Sequence, residues 1–296
     1  VNSIAGIARL FELILEDPDG FRRFEQAILD NTAHFGECLQ AEGFTLEYGG
    51  TNTHMLLVDL KPFRVEGETL LDGEIAARLL EIAGIVCNKN VLPGDPDAAH
   101  ATGLRFGLPW LTQRGVTKDQ LRELAQIVQS VLAPVRTFQV WSPTGEEKCR
   151  GRVPQGVLRE AARRTLALVE ALPYPPKPLT RPRRPADKRI GDRTALLVRG
   201  DKVRLALGQM LSARLPVDGT LTRARMLRSD GSEIADVLAV ELERCGREER
   251  WLVLPHAEKA GAVREWIEDL SDGYLMFDES DLQKKVDGPS VVEDFD

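Results

Sequence analysis

A single arginine, Arg105, stands between Leu104 and Phe106 in the short apolar segment GLRFGL. A guanidinium is planar and can hold a carboxylate through two parallel hydrogen bonds. An arginine partly buried in a strand needs such an anionic partner, because an unpaired buried charge is costly. The partner is either an Asp or Glu of the chain or the carboxylate of a ligand, and residue types alone leave both open.

The spacing of apolar residues predicts the helices and strands that position Arg105. Helical spacing predicts helices at about residues 4–15, 21–41, 70–83 and 118–132, and the intervening patterns predict strands at 44–50, 54–60, 85–90 and 103–108. The strand at 54–60 is apolar without alternation, which indicates burial on both faces. Two helices, then a small sheet crossed by one helix and covered by another, form an α/β unit of about 140 residues.

A second unit is predicted after a proline-rich and arginine-rich stretch, LPYPPKPLTRPRRPADKR, which cannot pack as a core element and reads as an extended linker. A helix at 157–172 precedes it. Beyond it we expect a strand, a helix, a hairpin around SDGS, another strand and a last helix, an α+β unit of roughly a hundred residues. The acidic end of the chain predicts no further element.

Composition excludes several classes of protein. The chain has 296 residues and a net charge of −7, and no apolar run reaches the length of about 20 residues that spans a bilayer. Its first residues lack the basic start and cleavage site of a signal peptide. The four cysteines and four histidines are scattered, so we expect no metal site, buried free thiols and a reducing, cytoplasmic setting.

Lysine and arginine are concentrated between Lys148 and Arg204. Such a basic segment is compatible with nucleic-acid binding. Its arginines lack the interleaved aromatic side chains that stack on bases, so we favour a solvated helix face followed by a linker. We therefore expect neither a nucleic acid nor a membrane as a partner.

Three motifs in the first half occur in a fixed order: YGGTNTHMLLVDL, AGIVCNKNVLPGDP and ATGLRFGLPWLTQRG. In order and separation they closely resemble the C-terminal domain of serine hydroxymethyltransferase (glycine hydroxymethyltransferase), over about Val1 to Ala133. The resemblance implies the small α/β (α+β two-layer) domain of a fold-type-I pyridoxal-phosphate transferase. It implies an exchange of the hydroxymethyl carbon between serine and tetrahydrofolate, and a homodimer.

The resemblance assigns roles to two residues. Arg105 matches the arginine that binds the carboxylate of serine or glycine, and Asn90 matches a residue that contacts the folate pterin, whose edge suits an amide. Thr102 replaces the family's usual serine, and Trp110 and Gln113 stand where smaller or different residues are common. The lysine that holds pyridoxal 5′-phosphate belongs to a large domain that would precede Val1, so we expect no catalytic residue and no productive cofactor binding in this chain alone.

Residues from about Arg193 to Asp269 resemble the folate-binding domain of the glycine-cleavage T-protein (aminomethyltransferase), through a strand ending in R-G, an L-P turn and a hairpin around D-G. That family has an acidic pair after the hairpin. Here Ala235 and Asp236 fill the two places, so Asp236 is the one candidate acid. A T-protein-like fold that acts only as a scaffold is the alternative.

We expect four parts: the hydroxymethyltransferase domain at 1–135, a connecting segment and helix at 136–172, the linker at 173–190 and the T-protein-like domain at 191–296. Joined, the two modules would keep a folate intermediate near both sites. The rival hypothesis is a non-catalytic folate-binding or dimerisation scaffold without a cofactor domain.

Overall fold

Two antiparallel sheets, each within its own unit, organise the chain. The computed structural model describes residues 2–67, 69–141, 145, 147–174, 189–216 and 219–295. The first unit is Val1–Gln139 with Gly156–Lys177, and the second is Val140–Gln155 with Pro178–Asp296. Residues 175–188 of the predicted linker lie outside the described residues, and the predicted domain boundaries stay predictions.

The elements up to the linker are α1 (Asn2–Glu16), α2 (Pro18–Ala41), β1 (Thr45–Leu46), β2 (Met55–Asp59), β3 (Glu66–Gly67), α3 (Gly73–Ile82), β4 (Asn88–Asn90), β5 (Gly103–Gly107), α4 (Pro109–Gln113), α5 (Lys118–Leu132), β6 (Arg136–Trp141), β7 (Glu147–Arg152) and α6 (Gln155–Glu170). Strands β6 and β7 were not predicted: β6 mixes polar and apolar residues over only six positions, and the sequence of β7 is mostly polar. A 3-10 turn at Glu47–Gly49 shortens the strand predicted at 44–50.

The sheet of the first unit has the order β1-β2-β5-β4, with every pair antiparallel. Helices α2 and α3 pack against it. In β2, Leu56 and Val58 are buried while Met55 and Leu57 are half-buried. The prediction that this strand is buried on both faces is therefore wrong: one face meets the helices and the other is left open, which is the two-layer arrangement expected from the sequence.

Helix α2 begins earlier than its apolar spacing predicts. The sequence DPDG does interrupt the helical pattern, but it also starts the second helix. Asp17 is the N-cap and its side chain accepts a hydrogen bond from Gly20 N at 2.8 Å. Pro18 takes the first helical position, where its missing N–H has no cost.

The core of the first unit lies between the sheet and its helices. Phe35 of α2 and Phe106 of β5 meet edge to face, with ring centroids 5.7 Å apart. The same unit also buries these large side chains, each less than 2% exposed: Leu39, Leu56, Leu79, Leu80, Leu104, Leu108, Leu121 and Ile127. This core fixes the helix-facing side of β5, and with it the direction of every side chain on the opposite face.

The second unit contains β8 (Arg189–Ile190), β9 (Arg193–Thr194), β10 (Leu196–Gly200), α7 (Val203–Met210), β11 (Thr222–Leu227), β12 (Glu233–Glu241), β13 (Glu249–Pro255), α8 (Ala260–Ser271) and β14 (Val291–Asp294). Its sheet has the order β11-β12-β13-β10-β14 and is antiparallel throughout. Trp251 is fully buried in β13, against which α7 and α8 pack.

Strand β14 was not predicted, since it lies in the acidic end of the chain. It pairs with β10, and Arg199 of β10 donates to both carboxylate oxygens of Glu293 at 2.8 and 2.9 Å. Its only apolar residues are Val291 and Val292, which are too few among acidic neighbours to predict a strand. Its partner strand β10 is distant in sequence.

The N-terminus of helix α5 is stabilised by hydrogen bonds between neighbouring residues, and their contribution can be measured. The hydroxyl of Thr117 accepts from Gln120 N at 3.2 Å, and the Gln120 side chain accepts from Thr117 N at 2.9 Å, which is a capping box. Thr117→Ala should lower the free energy of unfolding by about 1 kcal/mol. Urea unfolding followed by circular dichroism measures it. Arg122→Ala on the same helix, which loses only an exposed ion pair, is the control; equal effects of the two changes would contradict the capping role.

Candidate functional site

Arg105 lies in the middle of β5 and is exposed. The expectation that it is partly buried is wrong for this chain. Its neighbours Leu104 and Phe106 point to the helical side, and period-two alternation places Arg105 on the open face of the sheet. The apolar residues on either side of Arg105 therefore indicate that the opposite face of the strand is buried, and not that Arg105 is.

Among the residues that the structure describes, the guanidinium of Arg105 has one polar contact, in which Nη2 donates to Asn88 Oδ1 at 3.4 Å. Within the described residues it forms no ion pair with an Asp or Glu, so the internal carboxylate that the sequence left open is not found there. A long hydrogen bond to a neutral amide is weaker than a charge-assisted one. Arg105 therefore keeps most of its donors for an anion that approaches the open face.

Asn90 shares this face with Arg105. Asn88 is directly opposite Arg105 in the β4–β5 register, and Asn90, two residues on, is opposite Gly103. Asn90 Nδ2 donates to Val91 O at 2.8 Å, while its Oδ1 accepts no hydrogen bond from the described part of the chain. The structure thus brings together the two residues that the sequence assigned to the first site.

A buried carboxylate closes the loop between these two strands. The side chain of Asp95 is 2% exposed. Its Oδ2 accepts from Leu92 N at 2.8 Å and Thr102 N at 2.9 Å, and its Oδ1 accepts from Thr102 Oγ1 at 2.6 Å. Leu92 follows β4 and Thr102 precedes β5, so Asp95 ties the end of the Asn90 strand to the start of the Arg105 strand.

The same contacts decide the charge of Asp95. Burial alone would raise its pKa, but the hydrogen bonds from Thr102 and from the Leu92 and Thr102 amides, together with Lys61, outweigh burial and hold the pKa of this carboxyl below its ordinary value. Sequence reasoning missed Asp95. Thr102 was noted only as a departure from serine, and the structure shows that it retains the hydroxyl that Asp95 needs.

Asp236, the candidate acid of the second unit, is on β12. Arg223 Nε donates to its Oδ1 at 2.8 Å and Arg193 Nη2 donates to its Oδ2 at 2.6 Å. These hydrogen bonds, Arg223 first and Arg193 second, lower the pKa of Asp236 to about 2. A carboxylate held by two guanidinium groups is a weak proton acceptor at neutral pH.

His256 completes the polar cluster around Asp236. Arg193 Nη2 lies 3.0 Å from His256 Nε2, and His256 Nδ1 lies 2.8 Å from Asp192 Oδ2. Arg193 also donates to Leu254 O at 2.7 Å, which anchors it in the sheet. Sequence reasoning did not identify the two arginines, because their partner carboxylate is distant along the chain.

The four cysteines differ in burial. Cys38 is buried, Cys87 and Cys149 are half-buried and Cys245 is exposed, so the expectation of buried thiols holds only for Cys38. Burial is the main cause that raises the pKa of the Cys87 thiol to about 12.

Within the described ranges, no cluster of three or more His, Cys, Asp or Glu side chains is arranged to hold a metal ion. None of the helices in these ranges is both long and apolar enough to cross a membrane.

Comparison with known proteins agrees with the motifs of the first unit. Residues 1–128 match the family model of serine hydroxymethyltransferase. A serine hydroxymethyltransferase of Natronomonas pharaonis is 38% identical over 133 residues, 45% of this chain and 30% of that protein. One of Caenorhabditis briggsae is 37% identical over 127 residues, 43% of this chain and 23% of that protein.

A serine hydroxymethyltransferase of Chlamydia trachomatis is 32% identical over 158 residues, which are 53% of this chain and 30% of that protein. The chain thus spans no more than 30% of the length of these curated relatives. The similarity supports a serine hydroxymethyltransferase domain in the first half of the chain.

Removal of the Asp95 carboxylate should loosen the site. Asp95→Ala leaves the Leu92 and Thr102 amides without their acceptor, and we expect a loss of about 1–3 kcal/mol in the free energy of unfolding. Because the folded pKa lies below the ordinary value of 3.8, the stabilisation is complete above that pH and is lost as the pH falls through the folded pKa.

Urea unfolding of wild type and Asp95→Ala between pH 7 and pH 2 tests this. The two curves of stability against pH should converge in acid. Glu25→Ala, which removes an exposed carboxylate of α2, is the control. A difference that stays constant down to pH 2 would contradict the role of the ionised carboxylate.

The Asp236 carboxyl should titrate with a midpoint near 2, because two arginines stabilise its charged form. Carbon-13 NMR of labelled aspartate side chains measures the midpoint directly. Arg223→Gln should move the midpoint upward, since it removes the larger cause. A wild-type midpoint above 4 would show that the ion pairs are not formed in solution.

Proposed function

We propose that residues 1–135 form the small domain of a pyridoxal-phosphate-dependent serine hydroxymethyltransferase and that the longer protein interconverts serine and glycine with tetrahydrofolate. One observation carries the proposal: Arg105 stands on the open face of the central strand without a carboxylate partner in the described chain. The family match over residues 1–128 supports it independently.

Arg105 binds the carboxylate of serine or glycine in this proposal. Its planar donors match the two oxygens of a carboxylate. Asn88, the present neighbour of Nη2 at 3.4 Å, holds the guanidinium over the sheet without neutralising it. A substrate carboxylate therefore replaces a weak neutral contact and displaces no ion pair.

Asn90 contacts folate in this proposal. Its free Oδ1 can accept from the donor edge of a pterin, and an amide can also donate if Nδ2 leaves Val91 O. Because Asn90 and Arg105 share one face, the amino acid and the folate would meet on the same side of the sheet. This juxtaposition suits transfer of a single carbon between two bound molecules.

Serine hydroxymethyltransferases use pyridoxal 5′-phosphate and tetrahydrofolate, and the residues of the first unit do not fit the first of these by themselves. Lys89 pairs with Glu74 at 2.8 Å, Lys61 donates to Pro93 O at 3.1 Å, and Lys118 donates to Asp30 O at 2.7 Å. Each of these ammonium groups already has a partner, and the resemblance places the lysine that holds the cofactor in a large domain. We therefore assign the cofactor to a large domain of the longer protein.

The second unit is given a role that differs from ligand binding or catalysis. A T-protein-like fold is an expectation from the sequence, and Asp236, with its pKa near 2, suits a structural ion pair better than a proton acceptor. We propose a scaffold role for this unit. A homodimer and a cytoplasmic setting also stay predictions from the resemblance and from the cysteine pattern.

Arg105→Ala, made in the longest natural form of the protein, tests the proposed function. Loss of a paired guanidinium should cost about 3 kcal/mol or more, which lowers kcat/KM for serine cleavage by roughly 100-fold or more. Arg105→Lys should recover only part of the loss, because an ammonium lacks the planar fork. Steady-state assay of glycine formation with tetrahydrofolate measures both.

Arg122→Ala is the matched control, since that arginine is exposed on α5 and its ion pair within the described part of the chain is the exposed one with Asp119. It should leave kcat/KM within about twofold of wild type. Normal turnover by Arg105→Ala would refute the assignment of Arg105. A wild-type protein that neither binds pyridoxal 5′-phosphate nor cleaves serine would instead favour the non-catalytic scaffold.

A further inference from the structure

A partly enclosed cleft of about 540 Å³ lies within the first unit, away from the predicted site. Its lining includes neither Arg105 nor Asn90. The main wall residues are Phe35, Ile85, Phe106, Trp110, Leu124 and Leu168. A volume of this size with a mostly apolar wall is in the range of small-molecule sites in proteins.

One polar atom of the wall lacks a partner. Thr165 lines the cleft and is 8% exposed, and its Oγ1 forms no hydrogen bond with any described residue. Buried hydroxyl groups in folded proteins are nearly always hydrogen-bonded. The Thr165 hydroxyl is therefore available to a molecule that enters the cleft.

An arginine lies next to one wall of the cleft, stacked on Trp110. Trp110 lines it and is 68% exposed, and the guanidinium of Arg114 stacks on the Trp110 ring, with Cζ 4.6 Å from the centroid. Arg114 Nη1 donates to Tyr174 O at 3.3 Å. Among the described residues Arg114 has no Asp or Glu partner, so it keeps donors for an anion.

We propose that this cleft binds a small amphipathic anion: an apolar ring or short aliphatic body that fills the cleft, with a carboxylate or sulfonate that meets Arg114 beside Trp110. The apolar wall selects the body of the ligand by removing its surface from water. The unpaired guanidinium selects the charged end. This inference is independent of the proposed function, because it uses none of the residues on the open face of the sheet.

Fluorine NMR with 4-(trifluoromethyl)benzoate as the probe, and 4-(trifluoromethyl)benzyl alcohol as its neutral counterpart, tests the inference on the full 296-residue chain. We expect the benzoate to bind more tightly than the alcohol. Trp110→Ala should weaken both, by about fivefold or more, and Arg114→Gln should weaken the benzoate by about tenfold while it changes the alcohol less than twofold. Methyl NMR should place the probe at Ile85, Leu168 and Thr165.

Each variant has a matched control outside the cleft. Trp141→Ala removes another exposed tryptophan, 70% exposed, and Arg122→Gln removes another surface arginine; neither should change the affinity. Arg105→Ala should also leave it unchanged, which separates this site from the proposed carboxylate site. Binding that is lost in Arg105→Ala, or that survives intact in both Trp110→Ala and Arg114→Gln, would overturn the proposal.

Discussion

The alternation of side chains along β5 is the constraint on which the first unit depends. Leu104 and Phe106 are buried against the helices, so Arg105 between them has to face the other way. A shift of one residue in register would bury the guanidinium and expose both apolar side chains. The packing of Phe106 against Phe35 therefore fixes the position of the cation as firmly as any contact of the cation itself.

The two units use the same pair of chemical groups in opposite ways. In the first, an arginine has no carboxylate among the described residues and contacts only the amide of Asn88. In the second, the carboxylate of Asp236 is held by Arg193 and Arg223. An unsatisfied guanidinium on a strand is available to a ligand, whereas a satisfied carboxylate mainly holds strands together. This contrast is why we assign ligand binding to the first unit and a scaffold role to the second.

Elements that depend on short-range patterns of apolar residues could be predicted from the sequence. The apolar spacing predicted helix α5 with the bounds it has, and placed β5 to within one residue, because such spacing is a local property of the sequence. The resemblance also assigned a substrate role to Arg105 and a folate role to Asn90, and these roles stay predictions. The sequence did not predict that Asp95 closes the loop, that β14 joins β10, or that Arg105 is exposed. Each of these depends on which distant segment lies alongside, and apolar spacing carries no information about that.

The decisive measurement is a structure of the longest natural form of the protein with glycine bound. We expect two nitrogens of the Arg105 guanidinium to lie about 2.7–3.0 Å from the two carboxylate oxygens of the ligand, on the face that Asn90 shares. A glycine carboxylate held by another cation, with Arg105 still against Asn88 or paired with an Asp or Glu of the protein, would contradict it.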